Sequence, residues 1–266
     1  ADPEGTETTD LMAPYAILAE SGAVEVLIVS PTPDPVRLMP GLAWVAPHQT
    51  RAAFDASHTA GADVVIVPFM MGVKDTGRGA WLNAQARRGA RIVSICAGSE
   101  ILAEAGLLKG RAATSHWASL GKLERRHKDV TWRRDARWVT DGKITTTAGV
   151  SASAPAALML LAELAGPEIM QATAARMGLA APTAAHDGTA FRLTGEAMMT
   201  VAGNGGMFWR RDRAALKLAD GFDDLAFAAT LDGWSRTFRS EAVVMAPGGV
   251  TSRLGVRVFG PMHPPR

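Results

Sequence analysis

Arg91-Ile-Val-Ser-Ile-Cys-Ala-Gly-Ser-Glu-Ile-Leu-Ala-Glu-Ala-Gly-Leu-Leu108 is the stretch on which the fold turns. It opens with an apolar run of strand character, Ile92 to Ile95, and turns through Cys96-Ala97-Gly98. Apolar residues then recur at Ile101, Leu102, Ala105 and Leu108, the spacing of one helix face. A strand that breaks into a helix through a small residue sets the side chain between them on a tight turn, the geometry of a nucleophile elbow. The unpaired N–H groups and partial positive charge at the start of that helix favour a thiolate at Cys96, the reactive form of the side chain. Cys96 is also the single cysteine of the chain. The competing reading is a structural thiol packed as a small hydrophobe.

Upstream, Val24 to Val29 and Asp63-Val-Val-Ile-Val-Pro68 are further apolar runs that read as buried strands. Val36 to Ala46 reads as a hairpin around Pro40-Gly41, Thr50 to Ser57 as a short helix, and Phe69 to Gly79 as a loop. A helix follows from Gly79 to Arg88, closed by Gly89. Apolar strands alternating with helices indicate a parallel sheet covered on both faces, with the site beyond the carboxyl ends of the strands, where Cys96 falls. At the start, Thr8, Thr9 or Asp10 is a candidate cap for a helix with Leu11, Tyr15 and Leu18 on its apolar face. Pro14 then falls in the first turn, and Gly22 ends the helix.

Downstream, Arg111 to Trp117 is a short strand or loop, followed by a helix with Arg125-Arg126-His127-Lys128 on its solvated face. Polar strands lie between Val130 and Thr147, with a turn at Asp141-Gly142, and an apolar helix covers Ala156 to Leu164. A domain boundary is expected near Pro167. The remainder reads as a helix from Ile169 to Gly178, a loop from Ala180 to Thr189, and a helix capped by Thr194. Asp223 to Phe238 reads as an amphipathic helix with Leu225, Ala228, Leu231, Trp234 and Phe238 facing inward. Glu241 to Ala246 and Thr251 to Phe259 read as a terminal hairpin around Pro247-Gly-Gly249.

The 266 residues suffice for one large domain or two modest ones. A hydrophobic share of 47% with 20% charged residues is that of a soluble globular chain. The net charge of +2 gives no ground for nucleic-acid binding, and no run of 18 apolar residues offers a membrane span. One cysteine excludes an internal disulfide and a multi-cysteine zinc site. His48, His58, His127, His186 and His263 show no metal-ligand spacing; His186-Asp187 reads as a solvated turn. No metal or cofactor is expected. A cytoplasmic location is the expectation, and the start at Ala1 without methionine leaves a processed, periplasmic form open.

Residues 1–166 resemble the DJ-1/PfpI superfamily, of class I glutamine-amidotransferase-like fold. They resemble especially its bacterial isonitrile-hydratase-like members and the amidase-like domains of AraC-type regulators. The resemblance rests on Gly5-Thr-Glu-Thr-Thr-Asp10-Leu-Met-Ala-Pro14-Tyr15, Ile95-Cys96-Ala-Gly98, Ala105-Gly-Leu-Leu108, Ala113-Thr-Ser-His116-Trp117 and Thr147-Ala-Gly-Val-Ser-Ala152. It implies a flavodoxin-like α/β fold with a nucleophile elbow, and residues 167–266 as a C-terminal α+β extension of unassigned role. It further implies Cys96 as nucleophile, Asp10 as the acid beside it, His116 as the nearby histidine, and a homodimer. On the residues alone, Asp10 reads equally as a helix N-cap and His116 as a satisfied buried ring.

Ala97 is expected to supply an oxyanion N–H, and Met70 and Trp117 to wall the substrate pocket. Three departures from the family pattern stand out. Phe69-Met70 replaces a Gly-Gly, which narrows the site toward small apolar substrates. Ala97 stands where isonitrile hydratases carry Thr. The family's first strand would precede Gly5, where the numbered chain has four residues. The function expected is cofactor-independent cysteine catalysis on a small carbon–nitrogen or carbonyl compound. Glyoxalase- or deglycase-like action on dicarbonyls and a non-enzymatic ligand- or redox-sensing role are the alternatives, because this fold hosts many activities.

Overall fold

The computed structural model describes residues 1–72, 77–187, 191, 194–207, 210–236 and 238–261. The first part holds β1 (Thr6–Glu7), α1 (Thr8–Glu20), β2 (Val29–Ser30), β3 (Val36–Met39), β4 (Ala43–Val45), β5 (Gln49–Thr50) and α2 (Arg51–Ser57). β6 (Val64–Val67), α3 (Arg78–Arg87), β7 (Arg91–Ser94) and α4 (Gly98–Glu104) form the centre. Then come β8 (Ala112–Ala113), α5 (Trp117–Arg126), β9 (Thr131–Trp132), β10 (Trp138–Asp141), β11 (Ile144–Thr147) and α6 (Ser153–Ala165). The C-terminal part holds α7 (Pro167–Arg176), α8 (Gly195–Gly206), β12 (Asp212–Leu216), α9 (Asp224–Ser235), β13 (Ser240–Val244), β14 (Val250–Thr251) and β15 (Arg257–Phe259).

The central sheet has the order β10–β11–β7–β6, with β6, β7 and β11 parallel and β10 antiparallel to β11. Its two faces separate by strand alternation. Ile92 packs with Val65, Val67, Leu82, Leu102 and Leu108 under α3 and α4. Its neighbour Val93 packs with Ile17, Ala157, Leu158 and Leu161 under α1 and α6. Burying each such aliphatic side chain stabilises the fold by about 1.5–3 kcal/mol. This two-sided cover is the flavodoxin-like arrangement expected from the apolar strands.

A third core joins the two ends of the chain. β15 pairs antiparallel with β4, extending the sheet β1–β3–β4–β15–β14. Ala228 and Leu231 of α9 pack with Met12, Tyr15, Leu38, Val45 and Val258. The boundary expected near Pro167 coincides with the α6–α7 junction, where Gly166 takes a φ of 93°. Beyond it the chain returns to complete a core with the N-terminal part.

Local details correct several expectations. α1 begins at Thr8 because the Glu7 carboxylate caps it, accepting the Asp10 N–H. Pro14 therefore lies inside the helix rather than in its first turn. The run from Val24 yields only the short strand β2. The inner face of α9 is Phe227, Ala228 and Leu231 with Asp224, Asp232 and Ser235, whereas Trp234 and Phe238 are exposed. β13 does not form a hairpin with the last strands; it runs parallel to β12, and the hairpin joins β14 to β15. Parts of three expected segments, residues 73–76, 188–189 and 237, lie outside the described residues, as does His263. Among the described residues no helix is long and apolar enough to cross a membrane.

Candidate active site

β7 and α4 meet at Cys96, whose φ of 57° lies in the left-handed region that L-residues other than glycine rarely occupy. Its N–H reaches Thr147 Oγ1 at the end of β11 (3.3 Å), and its carbonyl accepts from Ser99 Oγ (3.3 Å). Ser99 Oγ in turn bonds Ser115 Oγ (2.7 Å) beside His116. Gly98 allows the elbow to sit against the neighbouring strand: a Cβ there would lie 2.2 Å from the Val67 carbonyl oxygen. The thiol is 5% exposed.

Asp10 is wholly buried, and one carboxyl oxygen accepts the Phe69 N–H (3.2 Å) while the other accepts from Ser153 Oγ (3.3 Å). With Glu7 acting as the helix cap, the Asp10 side chain is released from that role and turned into the interior. Burial pushes its pKa up to about 6, partly opposed by the Phe69, Glu7 and Ser153 hydrogen bonds. Glu7 is also buried; it donates its N–H to the Phe69 carbonyl (2.9 Å), and burial and the Asp10 charge raise its carboxyl well above the usual range. The two acids form one hydrogen-bonded pair.

The Cys96 environment differs from that expected at an elbow. Burial, then the Asp10 and Glu7 charges, push the thiol well above its ordinary value, while the Ala97 N–H and Arg236 pull it down. The helix start supplies one N–H to the sulfur, too little to outweigh removal from water. A thiolate here is therefore opposed by charge on the adjacent acids, Asp10 more than Glu7.

His116 caps α5, its Nδ1 accepting the Ala118 N–H (3.3 Å). Burial and Arg236 lower its pKa, with Glu100 opposing, so the neutral ring carries its proton on Nε2. The ring lies against the half-buried Trp117 (centroids 5.1 Å apart) and its Cδ2 is 3.2 Å from where a Gly149 Cβ would stand, just beyond β11. Met70 packs with Val65, Val67 and Leu82 in the core beneath α3, whereas Phe69 packs with the cluster that includes Cys96 and Ala97. The Phe69 N–H is committed to Asp10.

Of the residues expected at the site, Cys96, Ala97 and Asp10 converge, and His116 with Trp117 lies at the adjoining strand end. Sequence reasoning missed Glu7, Ser153 and Arg236. Glu7 has a local signal, a carboxylate three residues before Asp10. Arg236 has none: it reaches Glu7 Oε1 across 229 residues of chain. Elsewhere, His48 Nδ1 accepts the Ile28 N–H and His58 stacks on Phe54, both structural. Arg125, Arg126 and Lys128 are exposed, and His186 stacks on Phe191. Among the described residues no cluster of three or more metal-ligating side chains occurs.

Residues 2–163 match the model of the DJ-1/PfpI family. Isonitrile hydratase of Pseudomonas putida is 33% identical over 172 residues, covering 61% of this chain and 69% of its own length. An HTH-type transcriptional regulator of Pseudomonas aeruginosa is 36% identical over 89 residues, covering 34% of this chain and 26% of its own. The crystal structure of Drosophila melanogaster DJ-1beta superposes with a TM-score of 0.60 at 24% identity, over 68% of this chain and 95% of that one. The elbow cysteine, its sheet and the sequence match agree, and the chain belongs to the DJ-1/PfpI family.

Proposed function

We propose that the protein is a cofactor-independent cysteine enzyme that hydrates or hydrolyses a small carbon–nitrogen or carbonyl compound. The observation that carries this reading is a buried acid pair set beside a thiol held at a strained elbow. Burial raises the Asp10 pKa to about 6, so that it can hold and release a proton near the working pH, and in its protonated form it removes a charge that opposes a thiolate. In the reacting state Asp10 carries the proton and Cys96 is the nucleophile.

For an isonitrile, the S–C bond forms while the terminal carbon takes the Asp10 proton, leaving a thioimidate. Water adds to that carbon, one of its protons passing to nitrogen and the other returning to Asp10. The S–C bond then breaks, its electron pair returns to sulfur, and a formamide leaves. For a carbonyl compound the same thiolate adds to carbon and the developing alkoxide takes the Asp10 proton. Ala97 N–H steadies charge at the sulfur, and the Phe69 ring with Trp117 walls the site toward small apolar groups. His116, neutral with its proton on Nε2, is a donor at the rim.

The test is turnover of an aliphatic isonitrile and of methylglyoxal, measured side by side. Cys96→Ser is expected to abolish turnover while circular dichroism stays unchanged; retained turnover in that variant overturns the reading. Likeness to a transcriptional regulator supports a second, non-enzymatic reading, in which the same thiol senses a ligand or oxidant. Selective oxidation of Cys96 by mild peroxide, with no turnover of either compound, would favour that alternative.

A further inference from the structure

Arg236 is the one cation that reaches the acid pair in the described structure, and it comes from α9, outside residues 2–163 that match the family. Its guanidinium bonds Glu7 Oε1, and its Nε donates to Asp232 Oδ1 (2.9 Å). Asp232 is held from its other oxygen by Thr9 Oγ1 (3.0 Å), so α1 and α9 fix the guanidinium between them. Glu7 is thus gripped on one oxygen by a cation and on the other by the Asp10 N–H (2.5 Å). Asp10, by contrast, makes no direct contact with the cation: it accepts the Phe69 N–H and the Ser153 O–H and shares a hydrogen bond with Glu7.

We propose that Arg236 is a positioning residue that keeps Glu7 ionised, so that the proton shared by the two acids resides on Asp10, the one that acts on Cys96. This rests on the reading of Cys96 as the reactive thiol. Burial and the Asp10 and Asp232 charges push the Glu7 carboxyl up; the direct guanidinium–carboxylate pair opposes them by favouring the charged form, and a charged Glu7 beside Asp10 disfavours a second charge there. Without Arg236 the proton moves to Glu7. Asp10 then ionises next to the sulfur and suppresses the thiolate. The other charged groups acting here are Asp232, which acts on both Arg236 and Glu7, and Glu100, which acts on His116 and is paired with Lys122 (2.6 Å); Arg236 also acts directly on Asp10, Cys96 and His116.

The experiment is the pH dependence of Cys96 alkylation by iodoacetamide, which reads the thiol without any substrate. Arg236→Gln is expected to move the midpoint upward by about one pH unit and to slow alkylation at pH 7 about tenfold. Glu7→Gln, which imitates a Glu7 that has taken the proton, is expected to reproduce the shift, and Arg236→Lys to restore part of it. A role limited to tying α9 to α1 would lower Tm and leave the alkylation profile in place. Folded Arg236→Gln and Glu7→Gln with wild-type profiles overturn the inference. A shifted profile in a protein that turns over no substrate would leave it standing and remove the enzymatic reading instead.

Discussion

Gly98→Ala is the perturbation whose effect the structure defines most sharply. A Cβ at this position would sit 2.2 Å from the Val67 carbonyl oxygen and 3.0 Å from that of Pro68. An ordinary carbon–oxygen contact is about 3.3 Å, so α4 and β6 must separate by roughly 1 Å. Neither oxygen can rotate away, because both belong to the backbone, and Val67 O already accepts the Ile95 N–H (2.9 Å). Overpacking of this kind costs about 1–3 kcal/mol, and weakening that sheet hydrogen bond adds about 1 kcal/mol. A loss near 3 kcal/mol corresponds to a fall in Tm of about 6–12 °C for a chain of this size. The shift also moves the elbow, so turnover should fall further than stability alone accounts for. Gly121→Ala is the matched control: it lies inside α5 with its nearest added contact at 3.6 Å, and should stabilise by about 0.5–1 kcal/mol. Equal melting temperatures for wild type and Gly98→Ala, measured by differential scanning calorimetry, would refute the reasoning.

Asp10→Asn should change stability with a defined pH dependence. The folded-state pKa, raised to about 6 from an ordinary 3.8, means that folding opposes ionisation, so the wild type loses stability as pH rises from about 4 to 6. The neutral amide escapes this and should melt higher at pH 7.5, by a gain of up to about 3 kcal/mol, with the difference vanishing below pH 4. A Tm difference that does not vary with pH would contradict it. Leu231→Ala should cost about 3–5 kcal/mol in urea unfolding, because Leu231 is wholly buried in the core shared by both ends of the chain. A loss under 1 kcal/mol would mean that α9 is not integral to that core.

Short-range chemistry explains what was legible beforehand. Cys96 sits between an apolar strand and a helical repeat, and both signals are local, so the elbow and the alternation of β6, α3, β7 and α4 can be read from neighbours alone. The hairpin at Pro40-Gly41 and the Thr194 cap follow from the same near-neighbour rules. The helix over 224–235 was legible as a helix, but not which face it buries. Asp232 and Ser235 go inward because Arg236, Thr9 and the Ala242 N–H wait there to bond them. β13 joins β12 rather than β15 for a similar non-local reason, since both sides of β15 are already taken by β14 and β4.

The site divides along the same line. The order of residues alone marked Cys96 as the candidate nucleophile at the end of its strand, a local signal, while Asp10 became the candidate acid only through the family resemblance. Only the folded chain decided that Glu7 rather than Asp10 caps α1, that Phe69 rather than Met70 packs on the cluster holding the thiol, and that Arg236 reaches the acids. Those outcomes depend on burial and on charges brought close by packing, which no local pattern of residues records.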